Sequence, residues 1–289
     1  MIQRDIARWA KMVEKYLDEQ IPVSSTLHQS MKYSLLSPGK RLRPALILAT
    51  GTMFGQHEQN LLPFAAAVEC IHAYSLIHDD LPCMDNDDLR RGQPTNHRIF
   101  GQAIALLAGD ALQTLAFELM TRKTSVSDSI QINVIRTLAE AAGMQGMVLG
   151  QTADMEAEQS REASLEDLEF IHLHKTGKLL QACVVIGGLT AAVSPSDHEH
   201  LRAFGGHLGM AFQIVDDILD VTGDTAILGK TVGSDEAHGK LTYPSLLGLS
   251  EARARLHSVQ EMAFEELSAL SVDSDVLQQL LSMVVNRDR

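Results

Sequence analysis

The sequence predicts an all-α protein with a single domain spanning residues 1–289, and three observations point there. Apolar residues recur at three- and four-residue steps, the spacing of a helix face. All eight prolines lie outside residues 95–194, which frees a hundred-residue stretch from the strongest helix breaker. No alternating, strand-like segment with hairpin punctuation is found.

The elements read as follows. Between Phe100 and Leu115 the apolar positions Phe100, Ala103, Ile104, Leu107, Ala111 and Leu115 keep helical steps. Thr124 to Ser129 is a polar loop. Ser164 before Leu-Glu-Asp is a capping-box-like opening for a helix running toward Leu180. Ser194-Pro195-Ser196-Asp197 separates two further helices. About ten helices are expected in all. With 45% hydrophobic and 21% charged residues the chain suits one globular core.

A net charge of −13 argues against nucleic acid or an anionic membrane as the main partner, since phosphate backbones need a basic face. An acidic protein can still hold diphosphates if metal cations bridge the two. Cys70, Cys83 and Cys183 form no CxxC pair, which fits a reducing compartment. The charged N-terminus lacks the apolar core of a signal peptide, and no apolar run reaches the length of a membrane span. A cytoplasmic location is expected.

Two acidic clusters each follow apolar helical sequence: Asp79-Asp80-Leu81-Pro82-Cys83-Met84-Asp85 and Asp216-Asp217-Ile218-Leu219-Asp220. In the second, Asp216 and Asp220 stand about 40° apart around a helix, with Asp217 to one side. Carboxylates on an apolar helix are costly unless cations compensate. All-oxygen donors favour a hard divalent ion that keeps several waters, which describes Mg²⁺. In the first cluster a straight helix would put Asp85 about 240° from Asp79. Pro82 removes a backbone donor and breaks that helix, letting the chain bring Asp85 back. Cys83 is a filler in this loop, because thiolate is too soft for Mg²⁺.

These clusters resemble the two aspartate-rich motifs of the trans-prenyl diphosphate synthases: Asp79-Asp80-x4-Asp85 with Leu89-Arg90-Arg91-Gly92, and Gly209 to Asp220. The resemblance extends to Gly39-Lys40-Arg41-Leu42-Arg43-Pro44, Ala108-Gly109-Asp110-Ala111-Leu112, Lys175-Thr176-Gly177 and Gly229-Lys230. It implies an antiparallel helical bundle around a deep central cavity, a homodimer, and three Mg²⁺ per site. Asp79, Asp80 and Asp85 would hold part of the metal set, Asp216 the rest, with Asp217 and Asp220 close by. Lys40, Arg43, His72 and Arg91 would bind the diphosphate of isopentenyl diphosphate, and Arg90, Lys175 and Lys230 that of the allylic substrate; Lys240 joins this set.

The chemistry agrees, since Arg offers a planar fork to phosphate and Lys a movable point charge. Read locally, Lys40 to Arg43 is an ordinary basic helix start, and a lone His such as His72 is usually structural. His72 nevertheless lies seven residues before Asp79, about 20° off the same face. His78, His172 and His174 are read as structural. Arg287 and Arg289 either match the family's basic tails that fold over substrate or form a frayed terminus.

The implied reaction is ionisation of an allylic diphosphate, attack by the double bond of isopentenyl diphosphate, and proton loss to the released diphosphate, with farnesyl diphosphate as product. Thr176 and Gln213 would turn oxygen dipoles toward the cation, and an apolar cavity would exclude water. Tyr74 lies about 7.5 Å deeper than Asp79 along a helix, and Ser75 one turn deeper. An aromatic residue five before the motif resembles the family's product-length stop; as a core aromatic, Tyr74 would look the same. A synthase of geranylgeranyl diphosphate is the alternative. A class I terpene cyclase and a non-catalytic subunit fit less well, because the second cluster is a full DDxxD and both clusters are intact.

Overall fold

The computed structural model describes residues 2–158, 164–222 and 241–287. Its helices are α1 (Ile2–Gln20), α2 (Thr26–Leu35), α3 (Leu42–Met53), α4 (Glu58–Asp79), α5 (Asn96–Phe100), α6 (Gln102–Met120), α7 (Asp128–Ala142), α8 (Met147–Glu158), α9 (Leu165–His172), α10 (Lys178–Thr190), α11 (Pro195–Thr222), α12 (Tyr243–Leu247), α13 (Leu249–Ser268) and α14 (Asp275–Val285). Among the described residues the excess over ten comes in part from short pieces such as α5 and α12. The periodic stretch read from Phe100, for instance, breaks at Gly101, whose φ of 83° ends α5 before α6 begins.

α4 is the axis of the bundle because it is apolar all round: Phe64, Ala65, Ala66, Ala67, Val68 and Ile71 are fully buried. It packs against α3 and α6, while α10 packs against α3, α7 and α11. α1, by contrast, buries only the stripe Ile2, Trp9, Val13 and Leu17 and lies on the surface. A second apolar cluster of Leu168, Ala211, Ile214, Tyr243 and Val259 joins α9, α11, α12 and α13.

Ser164 caps α9 as its sequence predicts, exchanging bonds with Asp167 in a full capping box. α9 continues into α10 through one π-helical turn, Leu173–Gly177. The expectation of no strands needs one correction. Leu89–Arg90 (β1) and Gln93–Pro94 (β2) pair antiparallel across Arg91 and Gly92, whose φ values are 54° and 77°. Two positive-φ residues suit a tight hairpin, and strands of two residues are too short to leave a period in the sequence. The membrane reading is also qualified: α4 and α6 are long and apolar enough for a span by length and composition. α4 owes this to its place in the core, where 78% of its apolar window is buried; for α6 the share is 39%.

Candidate active site

The first aspartate cluster forms where α4 stops. Pro82 ends the helix and the chain folds back, so that the Asp85 N–H donates to the Asp79 carbonyl at 2.9 Å. Asp85 therefore returns beside Asp79. Asp80 is buried and pairs with Arg90, which donates through Nε at 2.6 Å and approaches through Nη2 at 2.5 Å. Burial lifts the Asp79 carboxyl to about 6; Lys175 opposes the shift, and Asp85 and Asp80 add to it.

Lys175 and Thr176 stand on the π-helical turn, a distortion that interrupts the α-helical ladder and is frequent at functional sites. Lys175 Nζ donates to Asp154 Oδ2 of α8 at 2.5 Å. Burial works against its charge, but Asp154 and Asp79 outweigh it and hold the ammonium above its ordinary value. Asp154 was not among the expected residues. Its signal is Gly150-Gln151-x-x-Asp154, a small residue followed by two polar ones on a helix face. α8 comes this close to the turn only because position 150 is glycine, where a Cβ would lie 2.6 Å from the Lys175 Cα.

A basic corner forms beside it. His72 is held neutral, well below its ordinary value, by burial and then by Arg43, Arg91, Arg90 and Arg41. Burial lowers Arg43 too, and its Nε has no hydrogen-bond partner among the described residues. Arg90 is paired with Asp80 and Arg41 with Glu69 and Glu14, which leaves the guanidiniums of Arg43 and Arg91 beside the neutral imidazole as the place for an anion. Arg91 lies over Gly39 and donates to the Pro38 carbonyl at 2.8 Å, while Lys40 is exposed on that loop. Arg41, passed over in the sequence, is the buried strut: it donates to Glu69 at 2.6 Å, Glu14 at 2.9 Å and the Ser37 carbonyl at 2.7 Å.

The second cluster divides. Asp216 is exposed and accepts from Arg287 Nη2 at 3.1 Å, with that guanidinium 4.0 Å over the Phe212 ring. The terminus is thus packed as far as Arg287 rather than frayed. Asp217 and Asp220 are buried. Asp217, expected near the metals, accepts from the Tyr243 N–H at 2.8 Å, and its other oxygen lies 3.6 Å from His172. It serves there as a strut between α11 and α12. Gln213 is partly buried on α11. Lys230, Lys240 and Arg289 lie outside the described residues.

Between α4, α8 and the π-helical turn is a cavity of about 440 Å³. Asp79, Lys175 and Arg43 line it together with Tyr74, Ser75, His78, Met147, Gln151 and Met155. Among the described residues no three His, Cys, Asp or Glu side chains converge into a ready cage. The donors on offer are carboxylate oxygens, so Mg²⁺ fits if water and substrate oxygens complete its shell.

His172 yields a first prediction. Burial lowers it to about 4, against 6.5 unfolded, so below pH 6.5 the unfolded chain binds more protons and stability falls as pH drops toward 4. His172→Asn is expected to lose less stability than the parent over that window, by about 2 kcal/mol, in urea titrations at pH 6.5 and 4.5. Equal losses would assign the acid sensitivity elsewhere.

Comparison with known proteins sets this geometry in context. Residues 24–279 match the polyprenyl synthetase family model. The chain is 48% identical to the farnesyl diphosphate synthase of Bacillus subtilis (strain 168), covering 96% of this chain and 95% of that one. It superposes on a crystal structure of an FPP/GFPP synthase from Zymomonas mobilis with TM-score 0.90 and 37% identity, covering 98% and 99% of the two chains. A geranyltransferase from Helicobacter pylori, complexed with magnesium and isoprenyl diphosphate, superposes with TM-score 0.83 and 33% identity over 99% and 96%.

Proposed function

The chain belongs to the polyprenyl synthetase family and is a prenyltransferase of isoprenoid biosynthesis, and from that premise we propose that it condenses isopentenyl diphosphate with dimethylallyl and then geranyl diphosphate to release farnesyl diphosphate. The observation that carries the reading is the cavity itself. Asp79, Lys175, Arg43 and Tyr74 line it together, and the Nε of Arg43 has no hydrogen-bond partner among the described residues.

Mg²⁺ held by Asp79, Asp80, Asp85 and Asp216 would neutralise the departing diphosphate; three ions are proposed from the family resemblance. Lys175, fixed as a cation by Asp154, donates to the leaving diphosphate as its C–O bond breaks. Arg43 and Arg91, around neutral His72, bind and orient the diphosphate of isopentenyl diphosphate. Arg90 and Lys40 add to the two diphosphate sites. Thr176, in the cavity wall, and Gln213 offer oxygen dipoles to the allylic cation, and Met147 and Met155 exclude water. No side chain is needed as base if the released diphosphate takes the proton.

A homodimer is also proposed. α6 leaves Leu106 and Leu107 46% and 52% exposed, and neighbouring Ile99 and Ile132 are more than half exposed. A second copy laid along α6 would cover this apolar face. The free Cys70, Cys83 and Cys183 support a reducing, cytoplasmic setting.

The test is incubation of the purified protein with dimethylallyl and isopentenyl diphosphates and Mg²⁺, an EDTA control, and mass spectrometry of the products. A metal-dependent C15 diphosphate is expected; C20 would favour geranylgeranyl diphosphate synthesis. Tyr74→Ala is expected to lengthen the product, and an unchanged C15 product from a folded variant would remove Tyr74 as the stop.

A further inference from the structure

We infer that His78 is a positioning residue for product length: anchored on Leu106 and admitted by Gly109, it braces the Tyr74 ring against the far part of the cavity. The inference rests on the reading of Tyr74 as the product-length stop. Tyr74 and His78 are four residues apart on α4 and so share a face. Both line the 440 Å³ cavity. Their rings meet edge to face, with centroids 5.7 Å apart and planes at 72°.

The imidazole is fixed from the other side by α6. Its Nε2 lies 3.0 Å from the Leu106 carbonyl oxygen, a contact in which Nε2 carries the proton and donates. The ring occupies the space that a side chain at position 109 would take. A Cβ on Gly109 would lie 2.9 Å from His78 Cε1 and closer still to Cδ2 and Nε2. Glycine at 109 is therefore what lets the ring enter, and the Leu106 carbonyl is what holds it. A tyrosine held on one edge loses the rotamers that would swing it aside. Without the brace, the ring can yield to a growing prenyl tail.

This assigns His78 a task apart from ionisation and metal binding, although it lines the same cavity as Asp79 and Lys175. It predicts that His78 and Gly109 act through Tyr74 and alter when elongation stops, not how fast it starts.

The experiment uses the full chain with dimethylallyl and isopentenyl diphosphates and Mg²⁺. The ratio of C20 to C15 product and the turnover of the first condensation are measured for His78→Ala, Gly109→Ala, Tyr74→Ala and the His78→Ala/Tyr74→Ala pair. Both His78→Ala and Gly109→Ala are expected to raise the C20:C15 ratio about tenfold, with first-step turnover within about threefold of the parent. In the Tyr74→Ala background, His78→Ala is expected to add nothing. If Gly109→Ala does not fold, the two His78 variants decide alone. Parental C15 product from His78→Ala, beside lengthened product from Tyr74→Ala, would overturn the brace and leave the stop in place. Parental product from Tyr74→Ala would remove both. An equal further lengthening in the Tyr74→Ala background would show that His78 acts by its own bulk, which also overturns the proposal.

Discussion

Asp79→Asn is expected to lower turnover by about a thousandfold or more while leaving the protein folded. The argument begins from the carboxyl's surroundings. Burial, Asp85 and Asp80 push it up to about 6, so ionised Asp79 is an expense to the metal-free protein that Lys175 only partly offsets. The folded carboxyl binds its proton more tightly than the unfolded one, so its contribution to stability falls as pH rises from about 4 to about 6 and stays lost above that. Asparagine removes this penalty, and in EDTA at pH 8 the variant should melt no lower than the parent. Mg²⁺ is then the missing compensation. Losing one carboxylate removes several kcal/mol of stabilisation of the leaving diphosphate, at about 1.4 kcal/mol per factor of ten. The rise in Tm that Mg²⁺ and substrate analogue give the parent should shrink in the variant. A variant within tenfold of the parent would show that Asp79 is not at the metal centre.

Gly150→Ala comes second in expected effect. A methyl group there meets the Lys175 backbone rather than a movable side-chain end, so α8 and the π-helical turn must separate. Overpacking of this kind costs about 1–3 kcal/mol, equivalent to several degrees of Tm. The larger loss should be catalytic, because the same movement pulls Asp154 away from Lys175 and shifts the ammonium relative to Asp79. A misplacement of about 1 Å costs about a hundredfold in rate. Turnover and thermal melts on one preparation separate the two effects. A folded variant with parental turnover would mean that the approach of α8 to the turn does not position Lys175.

How far the sequence announces this structure depends on which force writes each feature. The helices are legible because burial of one face imposes a period, as in α1 with Trp9, Val13 and Leu17. The return of Asp85 to Asp79 is legible because Pro82 lacks the N–H that another turn of α4 would need. The hairpin around Arg91 and Gly92 is not, because two-residue strands carry no period. Asp154 stays hidden because its partner lies 21 residues away on another helix, and distance in the chain conceals the ion pair. Asp216 and Asp217 look alike in sequence yet separate in space, one exposed beside Arg287 and the other buried, with one oxygen accepting from the Tyr243 N–H. Helix geometry gives their directions but not what stands in each.

The π-helical turn at Leu173–Gly177 distinguishes two kinds of genetic change in the rod from α9 to α10. A substitution alters one side chain and leaves the winding alone. A π-helical turn closes i→i+5 bonds and so holds one residue more than the α-helical turn it replaces. Loss of one codon inside it would let the stretch close as plain α-helix, with the flanking helices keeping their faces and the buried row Leu179, Leu180, Cys183 and Ile186 staying in the core. What would be lost is the local displacement that carries Lys175 and Thr176 on the cavity wall. In this stretch one extra residue serves the site, and the rod would close without it.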